Sequence, residues 1–287
     1  MHDYVISVIL GIVEGLTEFL PVSSTAHLRI TEALLHINLQ DPFWKMYTVV
    51  IQLGAILALP VYFGRRILNF ISTFPGGENG DRTILNHPLS LTLIAFVVTA
   101  IPSYLLSKQI GENLESLLVM GWSLIIGGVV MWVVDVMFRR PRVERLEDMN
   151  VAQAVWIGAV QILSALFPGT SRSMSTIAAA QVAGLSRPAA LEFSFFVSMP
   201  TMVAATGFDL LKALGIRGDE GDALSAVVMD GHRWVILAIG FVVSFIVALG
   251  VVAWFMNWVR ARGFVPFAIY RIVAGIVLLV LVARGWR

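Results

Sequence analysis

Two glutamates stand four residues apart at the head of the polar run EGLTEFLPVSSTAH, residues 14–27, in a chain that is otherwise mostly apolar. On a helix, Glu14 and Glu18 lie on the same face about one turn apart, where their like charges repel. An acidic side chain at membrane depth costs on the order of 2.5–3.5 kcal/mol, so a proton, a cation or an arginine must compensate for it. Because Mg²⁺ and Ca²⁺ prefer oxygen ligands, the pair predicts a site for one of these cations. The plainer interpretation is that the glutamates are protonated and only hydrogen-bonded.

The same run continues past Pro21 with hydroxyl side chains and a histidine, namely Ser23, Ser24, Thr25 and His27. Serine or threonine at the start of a helix caps free N–H groups, and the N-terminus of a helix attracts anions such as phosphate. Ser24 and His27 are three residues apart, so the imidazole can reach the hydroxyl, or a phosphate beside it, as a base. The alternative is a routine helix cap followed by a buried histidine.

A second polar run, FPGTSRSMST at residues 167–176, has stronger chemistry for binding anions. Gly169 lets the backbone approach a ligand, and Arg172 offers a planar guanidinium that matches phosphate oxygens. Further hydroxyls that could hold phosphate come from Thr170, Ser171, Ser173, Ser175 and Thr176. The alternative role for Arg172, an ion pair with Glu14 or Glu18, is compatible with binding, because an empty site needs its charges balanced.

Together, the two runs supply a nucleophile, a base and a positive charge, the set that phosphoryl transfer requires. A further arginine, Arg271, lies well inside an apolar stretch, where it could pair with a glutamate or with the ligand. The sequence contains neither a Walker A motif nor a nucleotide fingerprint, so the phosphate donor need not be ATP. It also contains no cysteine, which excludes thiol catalysis and zinc-thiolate sites.

The composition indicates a membrane-embedded protein. Of 287 residues, 57% are hydrophobic and 14% are charged, and the mean hydropathy is +0.82. Soluble domains usually have about a quarter of their residues charged. The net charge is +1 and no basic face is evident, so we expect no nucleic-acid partner.

Six stretches are long and apolar enough to cross a bilayer, which takes roughly 20 residues. They are residues 43–63, 88–106, 116–138, 190–211, 233–257 and 264–284. Two other apolar regions, 4–36 and 151–184, are each interrupted by a proline and one of the polar runs. Each half is too short to span alone, so both regions are predicted to be re-entrant helical hairpins whose broken backbone faces a cavity.

The two interrupted regions align without gaps at a fixed offset, which indicates an internal repeat. Residues 11–28 lie over residues 158–175, with identities at Gly11/Gly158, Val13/Val160, Leu16/Leu163, Pro21/Pro168 and Ser24/Ser171. Three spans follow each copy, and an odd number makes the second copy enter from the opposite membrane face. We therefore predict a single all-α polytopic membrane domain: six transmembrane helices and two re-entrant hairpins in an inverted-topology repeat. Its halves are 1–138 and 151–287, and the loop 139–150 joins them.

The loop charges predict the orientation. Lysine and arginine are more frequent in the loops on the side of residues 139–150, where four arginines lie close to the end of a span. Under the positive-inside rule this side is cytoplasmic, so the first hairpin enters the membrane from the outer face.

The runs EGLTEFLPVSSTAH and PGTSRS resemble the two signature motifs of the undecaprenyl pyrophosphate phosphatase family, also called bacitracin resistance proteins. The similarity extends to LEFSFFVSMP (191–200) and FAIYRIVAG (267–275). The resemblance implies hydrolysis of undecaprenyl pyrophosphate to undecaprenyl phosphate and inorganic phosphate, which recycles the lipid carrier of cell-wall synthesis and confers bacitracin resistance. It also implies a divalent cation, and a site that opens to the outer side of the bacterial cytoplasmic membrane.

By motif position, the resemblance assigns Glu14, Glu18, Ser24 and His27 to the first catalytic motif, and Ser171 with Arg172 to the second. We expect Glu14 and Glu18 to hold the cation and Arg172 the pyrophosphate. Ser24 would attack, or position water, with His27 as the base. Two residues depart from the usual pattern, since Ala26 and Met174 both replace glycine. We expect Met174 to narrow the phosphate pocket.

Two other classes of protein are compatible with parts of the sequence. Inverted repeats with broken helices at the membrane midplane are typical of secondary transporters, so a transporter or polyprenyl-lipid flippase is the main alternative. Hydrolysis in detergent without a gradient would distinguish the two classes. A purely structural membrane subunit is disfavoured by the ionisable residues at membrane depth. The sequence leaves the oligomeric state open, a homodimer included.

Overall fold

A computed structural model describes residues 3–38, 41–106, 116–213 and 229–285. These ranges are helical, with one 3₁₀ turn, one isolated bridge between Val143 and Leu185, and no strand among the described residues. The α-helices, numbered along the chain, are α1 (Asp3–Thr17), α2 (Ser24–Leu34), α3 (Pro42–Tyr62), α4 (Gly64–Ser72), α5 (Pro88–Leu105), α6 (Leu117–Met137), α7 (Val151–Leu166), α8 (Arg172–Val182), α9 (Arg187–Ala213), α10 (Gly231–Arg262) and α11 (Val265–Ala283).

The six predicted spans are confirmed. Within the described ranges, α3, α5, α6, α9, α10 and α11 are the helices long and apolar enough to cross a membrane. Their ends lie within a few residues of the predicted ends, except that α10 continues to Arg262 instead of stopping near residue 257. The protein is therefore an all-helical, multi-pass membrane protein.

Local sequence fixes where several helices begin. Asp41 precedes α3, and its carboxylate accepts a hydrogen bond from the N–H of Phe43, at 2.9 Å. Pro42 occupies the first helical position, where no N–H donor is needed. At the start of α7, Asn150 and Gln153 form a capping box, with reciprocal bonds of 3.0 and 2.9 Å. Such caps satisfy backbone N–H groups that have no partner within the helix.

The two interrupted regions have the lengths expected of hairpins. The first arms, α1 and α7, have 15 and 16 residues, and the second arms, α2 and α8, have 11 each. At 1.5 Å per residue, an 11-residue helix extends about 16 Å, roughly half of a hydrocarbon core. Each second arm packs against its own first arm. Re-entrant insertion of these hairpins stays a prediction.

Helix packing follows a pairwise pattern between the two halves of the chain. The first arm α1 packs along α10, and the first arm α7 packs along α5. Gly11 and Gly158 lie at these two contacts, where a Cβ would meet the carbonyl oxygen of Gly240 at 2.9 Å and that of Ala95 at 2.5 Å. Equivalent glycines thus allow equivalent close helix contacts. An inverted repeat would produce such a pattern, and the repeat itself stays a prediction.

The segments between the two arms of each hairpin, residues 18–23 (the first break) and residues 167–171 (the second break), require one correction to the ungapped alignment. The sequence pairs Ser24 with Ser171, whereas the structure gives Ser171 the same place as Ser23. Both Ser23 and Ser171 are the N-caps of the second arms, and both have left-handed backbone, with φ of 75° and 71°. The second break has one more residue between its proline and its cap, so the two copies differ by one position after the proline.

A buried carboxylate fixes the end of the bundle next to loop 139–150. Asp135, at the end of α6, has no exposed surface and accepts hydrogen bonds from Arg187 Nε at 2.7 Å and from Arg187 Nη2 at 2.9 Å. It also accepts bonds from the side chain of Gln181 and the backbone N–H of Phe264. One side chain thereby joins α6, α8, α9 and the turn before α11, the elements that surround the second break.

Candidate active site

The first break, which joins α1 to α2, has strained backbone and has polar side chains at its ends, those of Glu18, Ser23 and Ser24. After α1 ends at Thr17, residues 18–23 turn the chain, and the hydroxyl of Ser23 accepts a hydrogen bond from the N–H of Ala26, at 3.4 Å. A left-handed conformation at a residue other than glycine costs on the order of 1–3 kcal/mol and is concentrated at functional sites. This strain singles out the break as a place where backbone geometry matters.

The second break repeats this geometry with a glycine at its tightest point. Gly169 has φ of 89°, and a Cβ there would lie 2.7 Å from the carbonyl oxygen of Met120. Both the torsion and the close approach therefore require glycine. Ser171 caps α8 by accepting a hydrogen bond from the N–H of Met174, at 3.3 Å. The close approach of Gly169 is to the backbone of α6, and its predicted approach to a ligand stays a prediction.

One carboxylate connects the two breaks. Glu18 Oε1 lies 3.2 Å from Arg172 Nη2, and Glu18 Oε2 accepts a hydrogen bond of 2.5 Å from the hydroxyl of Ser24. Across the same junction, the hydroxyl of Ser173 donates to the carbonyl of Leu20 at 3.0 Å. The side chains of Glu18 and Arg172 are 7% and 13% exposed, so this ion pair is largely removed from solvent. Predicted catalytic residues from both runs thus meet in one buried cluster.

His27 makes its side-chain hydrogen bonds to residues other than Ser24, so the predicted hydrogen bond between these two side chains is not formed, and the alternative contact with a bound phosphate stays a prediction. Its Nδ1 lies 2.7 Å from the carbonyl oxygen of Ser23, and its Nε2 lies 2.6 Å from the hydroxyl of Tyr270. Both ring nitrogens therefore already have partners other than the hydroxyl of Ser24, and that hydroxyl donates to Glu18. Glu18, rather than His27, is therefore the acceptor in position to take the proton of Ser24.

Arg271 holds the backbone of both breaks. Its guanidinium has no exposed surface and donates to four carbonyl oxygens at 2.9–3.1 Å, those of Pro21, Ser123, Gly169 and Thr170. No carboxylate pairs with it among the described residues, so its charge is balanced only by carbonyl dipoles. We expected Arg271 to pair with a glutamate or with the ligand; the first is not found among the described residues, and the second stays a prediction. In the structure Arg271 fixes the two breaks relative to each other and adds positive charge behind them.

Glu14 is the most isolated polar group in the site. Its side chain is fully buried, the described residues offer neither of its oxygens a hydrogen-bond partner, and its strongest electrostatic neighbour is Glu18. A buried carboxylate without donors needs a bound proton or cation. Carboxylate oxygens are ligands that Mg²⁺ and Ca²⁺ accept, so the pair is compatible with the predicted cation site, which stays a prediction. Among the described residues there is no group of three or more acidic, histidine or cysteine side chains that could hold a metal ion.

The other predicted residues divide between the site and its supports. Thr170 contributes a carbonyl to Arg271, and the hydroxyl of Ser171 lies 3.0 Å from that of Ser173. Thr176 is fully buried, and its hydroxyl lies 2.6 Å from that of Ser194 on α9. This contact therefore joins α8 to α9. Ser175 likewise donates back to the carbonyl of Ser171, and Thr25 is partly exposed on the first turn of α2.

The two departures from the motif pattern are both explained by packing. Ala26 is buried against Met120, Leu124 and Leu278, where a methyl group fills apolar space. Met174 is 5% exposed and packs beside Gly127 of α6, where a Cβ on that glycine would lie 2.8 Å from the methionine methyl group. The side chain of Met174 thus lies in the core against α6.

The sequence analysis did not identify two residues of the site. Tyr270 contacts His27, and Glu32 lies buried on α2 within electrostatic range of Glu14 while paired with Arg29 at 3.1 Å. The only signals were that Tyr270 precedes Arg271 and that Glu32 is an acidic residue three positions after an arginine. Neither signal indicates a partner so distant along the chain.

Fold and site together define a multi-pass helical membrane protein in which two broken segments build one buried cluster of charged side chains. The chain belongs to the family described as bacitracin resistance protein BacA, whose model matches residues 7–277. It is 64% identical over 280 residues to the undecaprenyl-diphosphatase of Koribacter versatilis, covering 97% of this chain and 98% of that protein. The undecaprenyl-diphosphatase of Caldanaerobacter subterraneus is 41% identical over 277 residues, covering 96% and 95%. That of Deinococcus radiodurans is 37% identical over 287 residues, covering 99% and 97%. The resemblance read from the two motifs is confirmed.

Proposed function

We propose that this protein hydrolyses undecaprenyl pyrophosphate to undecaprenyl phosphate and inorganic phosphate. The observation that carries the proposal is the bridge made by Glu18, which joins a hydroxyl from one break to an arginine from the other. The names of the relatives support the substrate. The protein would then recycle a lipid carrier, and a high level of it would confer bacitracin resistance.

The site is arranged to accept a pyrophosphate group. Arg172 is paired with Glu18, and the N-termini of α2 and α8 meet at the same junction. Phosphate oxygens arriving there would replace the carboxylate on the guanidinium and accept hydrogen bonds from backbone N–H groups. This exchange releases Glu18 at the moment when the substrate is bound. The buried guanidinium of Arg271, which bonds carbonyl oxygens of both breaks from α11, adds a positive electrostatic potential at the site.

Glu14 and Glu18 would hold the divalent cation. When bound, such an ion neutralises charge on the pyrophosphate oxygens and so favours loss of the lipid phosphate.

Ser24 is the proposed nucleophile and Glu18 its base. The hydroxyl of Ser24 already donates to Glu18, so its proton has an acceptor 2.5 Å away. Attack on the terminal phosphorus forms an Oγ–P bond, breaks the bridging P–O bond and releases undecaprenyl phosphate. Water then attacks the phosphorus of the phosphoserine, the Oγ–P bond breaks, and Ser24 Oγ takes back the proton held by Glu18 as inorganic phosphate leaves. His27, whose Nε2 is its basic nitrogen, would take the proton of that water.

Release of phosphate in detergent tests the function directly. The purified protein, given undecaprenyl pyrophosphate and Mg²⁺ without any gradient, should release inorganic phosphate, which a pure transporter or flippase would not do. Arg172→Ala should lose activity, whereas Arg140→Gln, an equal charge change in the exposed loop after α6, should keep it. If Arg172→Ala and Glu18→Ala both released phosphate at the wild-type rate, this site would not be the active site.

We also propose that the protein resides in the bacterial cytoplasmic membrane with its site open to the outer side. The arginines of loop 139–150 support this orientation. Because the chain has no cysteine, single cysteines can report it cleanly. In intact cells, an impermeant maleimide should label Arg284→Cys and leave Arg140→Cys unlabelled, and the reverse pattern would invert the topology.

A further inference from the structure

His27 and Tyr270 form a pair that links the first break to the last helix. The hydroxyl of Tyr270 lies 2.6 Å from His27 Nε2, and the two rings are nearly parallel, with an angle of 14° and centroids 5.6 Å apart. Tyr270 is 48% exposed on α11. Although His27 and Tyr270 are 243 positions apart in the chain, they make one of the shortest side-chain contacts in the site.

The other ring nitrogen determines the direction of this hydrogen bond. Nδ1 of His27 lies 2.7 Å from the carbonyl oxygen of Ser23, which can only accept. Nδ1 must therefore carry the hydrogen, and the neutral imidazole has its lone pair on Nε2. It follows that the hydroxyl of Tyr270 donates to Nε2. Bonds at both nitrogens fix the rotation of the ring.

Both partners of the imidazole are themselves held in place. Ser23 caps α2 in a left-handed conformation, and its carbonyl also accepts from the N–H of His27, at 3.3 Å. Tyr270 precedes Arg271, whose guanidinium bonds the backbone of both breaks. The same turn of α11 therefore sets the position of the break and the orientation of the imidazole.

We propose that Tyr270 is a positioning residue that holds His27 in one orientation, with Nε2 as the basic nitrogen. The inference rests on the proposed phosphatase function, since orientation of the imidazole matters only if His27 handles a proton. A phenol suits this task because its oxygen both donates and accepts. Nε2 has one lone pair, so it takes up a proton only when the hydroxyl of Tyr270 turns away from donating, and the hydroxyl then accepts the new N–H; the two side chains are thus hydrogen-bonded before and after the transfer.

Tyr270→Phe tests the proposal because it keeps the ring and removes only the hydroxyl. We expect kcat for phosphate release from undecaprenyl pyrophosphate to fall about tenfold, the order of one lost hydrogen bond, with KM within about twofold. Tyr104→Phe, at an exposed position on α5, should match wild type. In a His27→Gln background, Tyr270→Phe should cause no further loss, whereas a purely structural role would lower both backgrounds equally.

Chemical modification gives a second readout that does not depend on turnover. Diethylpyrocarbonate attacks an unprotonated imidazole nitrogen, and the hydroxyl of Tyr270 covers that nitrogen in His27. Peptide mass spectrometry should therefore show faster carbethoxylation of His27 in Tyr270→Phe than in wild type or Tyr104→Phe. These rates decide the matter if His27→Gln turns over too slowly to measure.

The outcomes separate the two proposals. A wild-type protein that releases no phosphate would refute the phosphatase function, and the role of Tyr270 with it. An active wild type would leave that function standing. In that case, unchanged kcat in Tyr270→Phe, an equal loss in both backgrounds, or an unchanged carbethoxylation rate would overturn the role of Tyr270 alone.

Discussion

Glu18→Gln should separate the chemical step from substrate binding. The amide keeps the size of the side chain but loses its charge, and only its oxygen can accept. If that oxygen faces Arg172, the amide nitrogen faces Ser24, and the hydroxyl loses the acceptor that now lies 2.5 Å away. General-base catalysis contributes about 10²- to 10⁴-fold, so we expect kcat to fall by a factor in that range.

Binding should respond in the opposite direction. In the wild-type protein, pyrophosphate must displace Glu18 from a guanidinium that is only 13% exposed. Glu18→Gln removes that competitor, so at a saturating cation concentration, where the loss of one proposed cation ligand is compensated, KM for the lipid should stay the same or decrease. Breaking a buried ion pair costs about 3–5 kcal/mol when one charge is left alone. Glu14 remains within electrostatic range of Arg172 and should reduce the cost.

Steady-state phosphate release and thermal unfolding in detergent would measure both effects. Inorganic pyrophosphate should raise the melting temperature of Glu18→Gln more than that of wild type, because the variant has an uncompensated arginine for the anion to pair with. Arg172→Gln is the matched comparison, and its KM should rise. If Glu18→Gln kept kcat within about threefold of wild type, Glu18 would not be the base for Ser24, and the proposed first step would be refuted.

Three further predictions concern the nucleophile, the cation and the packing of the breaks. Ser24→Ala should lose phosphate release by at least about 10²-fold, and rapid quenching of wild type should trap a phosphoserine at residue 24; full activity in Ser24→Ala would assign the attack to water. EDTA should stop turnover and Mg²⁺ or Ca²⁺ restore it, while Glu14→Gln should raise the half-saturating cation concentration roughly tenfold or more; an unchanged value would remove Glu14 from the cation site. Arg271→Met should lower the stability by about 3 kcal/mol or more, since it leaves carbonyls of both breaks without donors; an equal melting temperature would contradict its role as a clamp.

Local properties of the sequence predicted the spans and the location of the site. Hydropathy over about 20 residues depends only on neighbours along the chain, so the six spans were predicted to within a few residues at most ends. The breaks were visible because a proline and a charged cluster in an apolar chain have few structural explanations. The pairing of Arg172 with a glutamate was also foreseen, because buried charges need partners.

Contacts between distant segments were harder to predict. The sequence does not show which ring nitrogen of His27 faces which partner, since this depends on a left-handed torsion at Ser23 and on a helix more than 200 residues away. The register after the prolines differed by one residue because an added loop residue leaves no mark in an ungapped alignment. Arg271 was recognised as unusual, but its carbonyl partners could not be deduced without the three-dimensional arrangement of the breaks.

The two breaks have similar backbone conformations but contribute opposite charges to the site. The bridging carboxylate and the hydroxyl proposed to attack come from the first break, and the arginine proposed to bind the anion comes from the second. Glu18 and Arg172 are ion-pair partners from different breaks, so each break stabilises the other only after the two have packed together. Arg271, which bonds carbonyls of both breaks from the last helix, can act only at that stage. The active pocket should therefore be among the last parts of the protein to become ordered, and a half-chain should have no activity of its own.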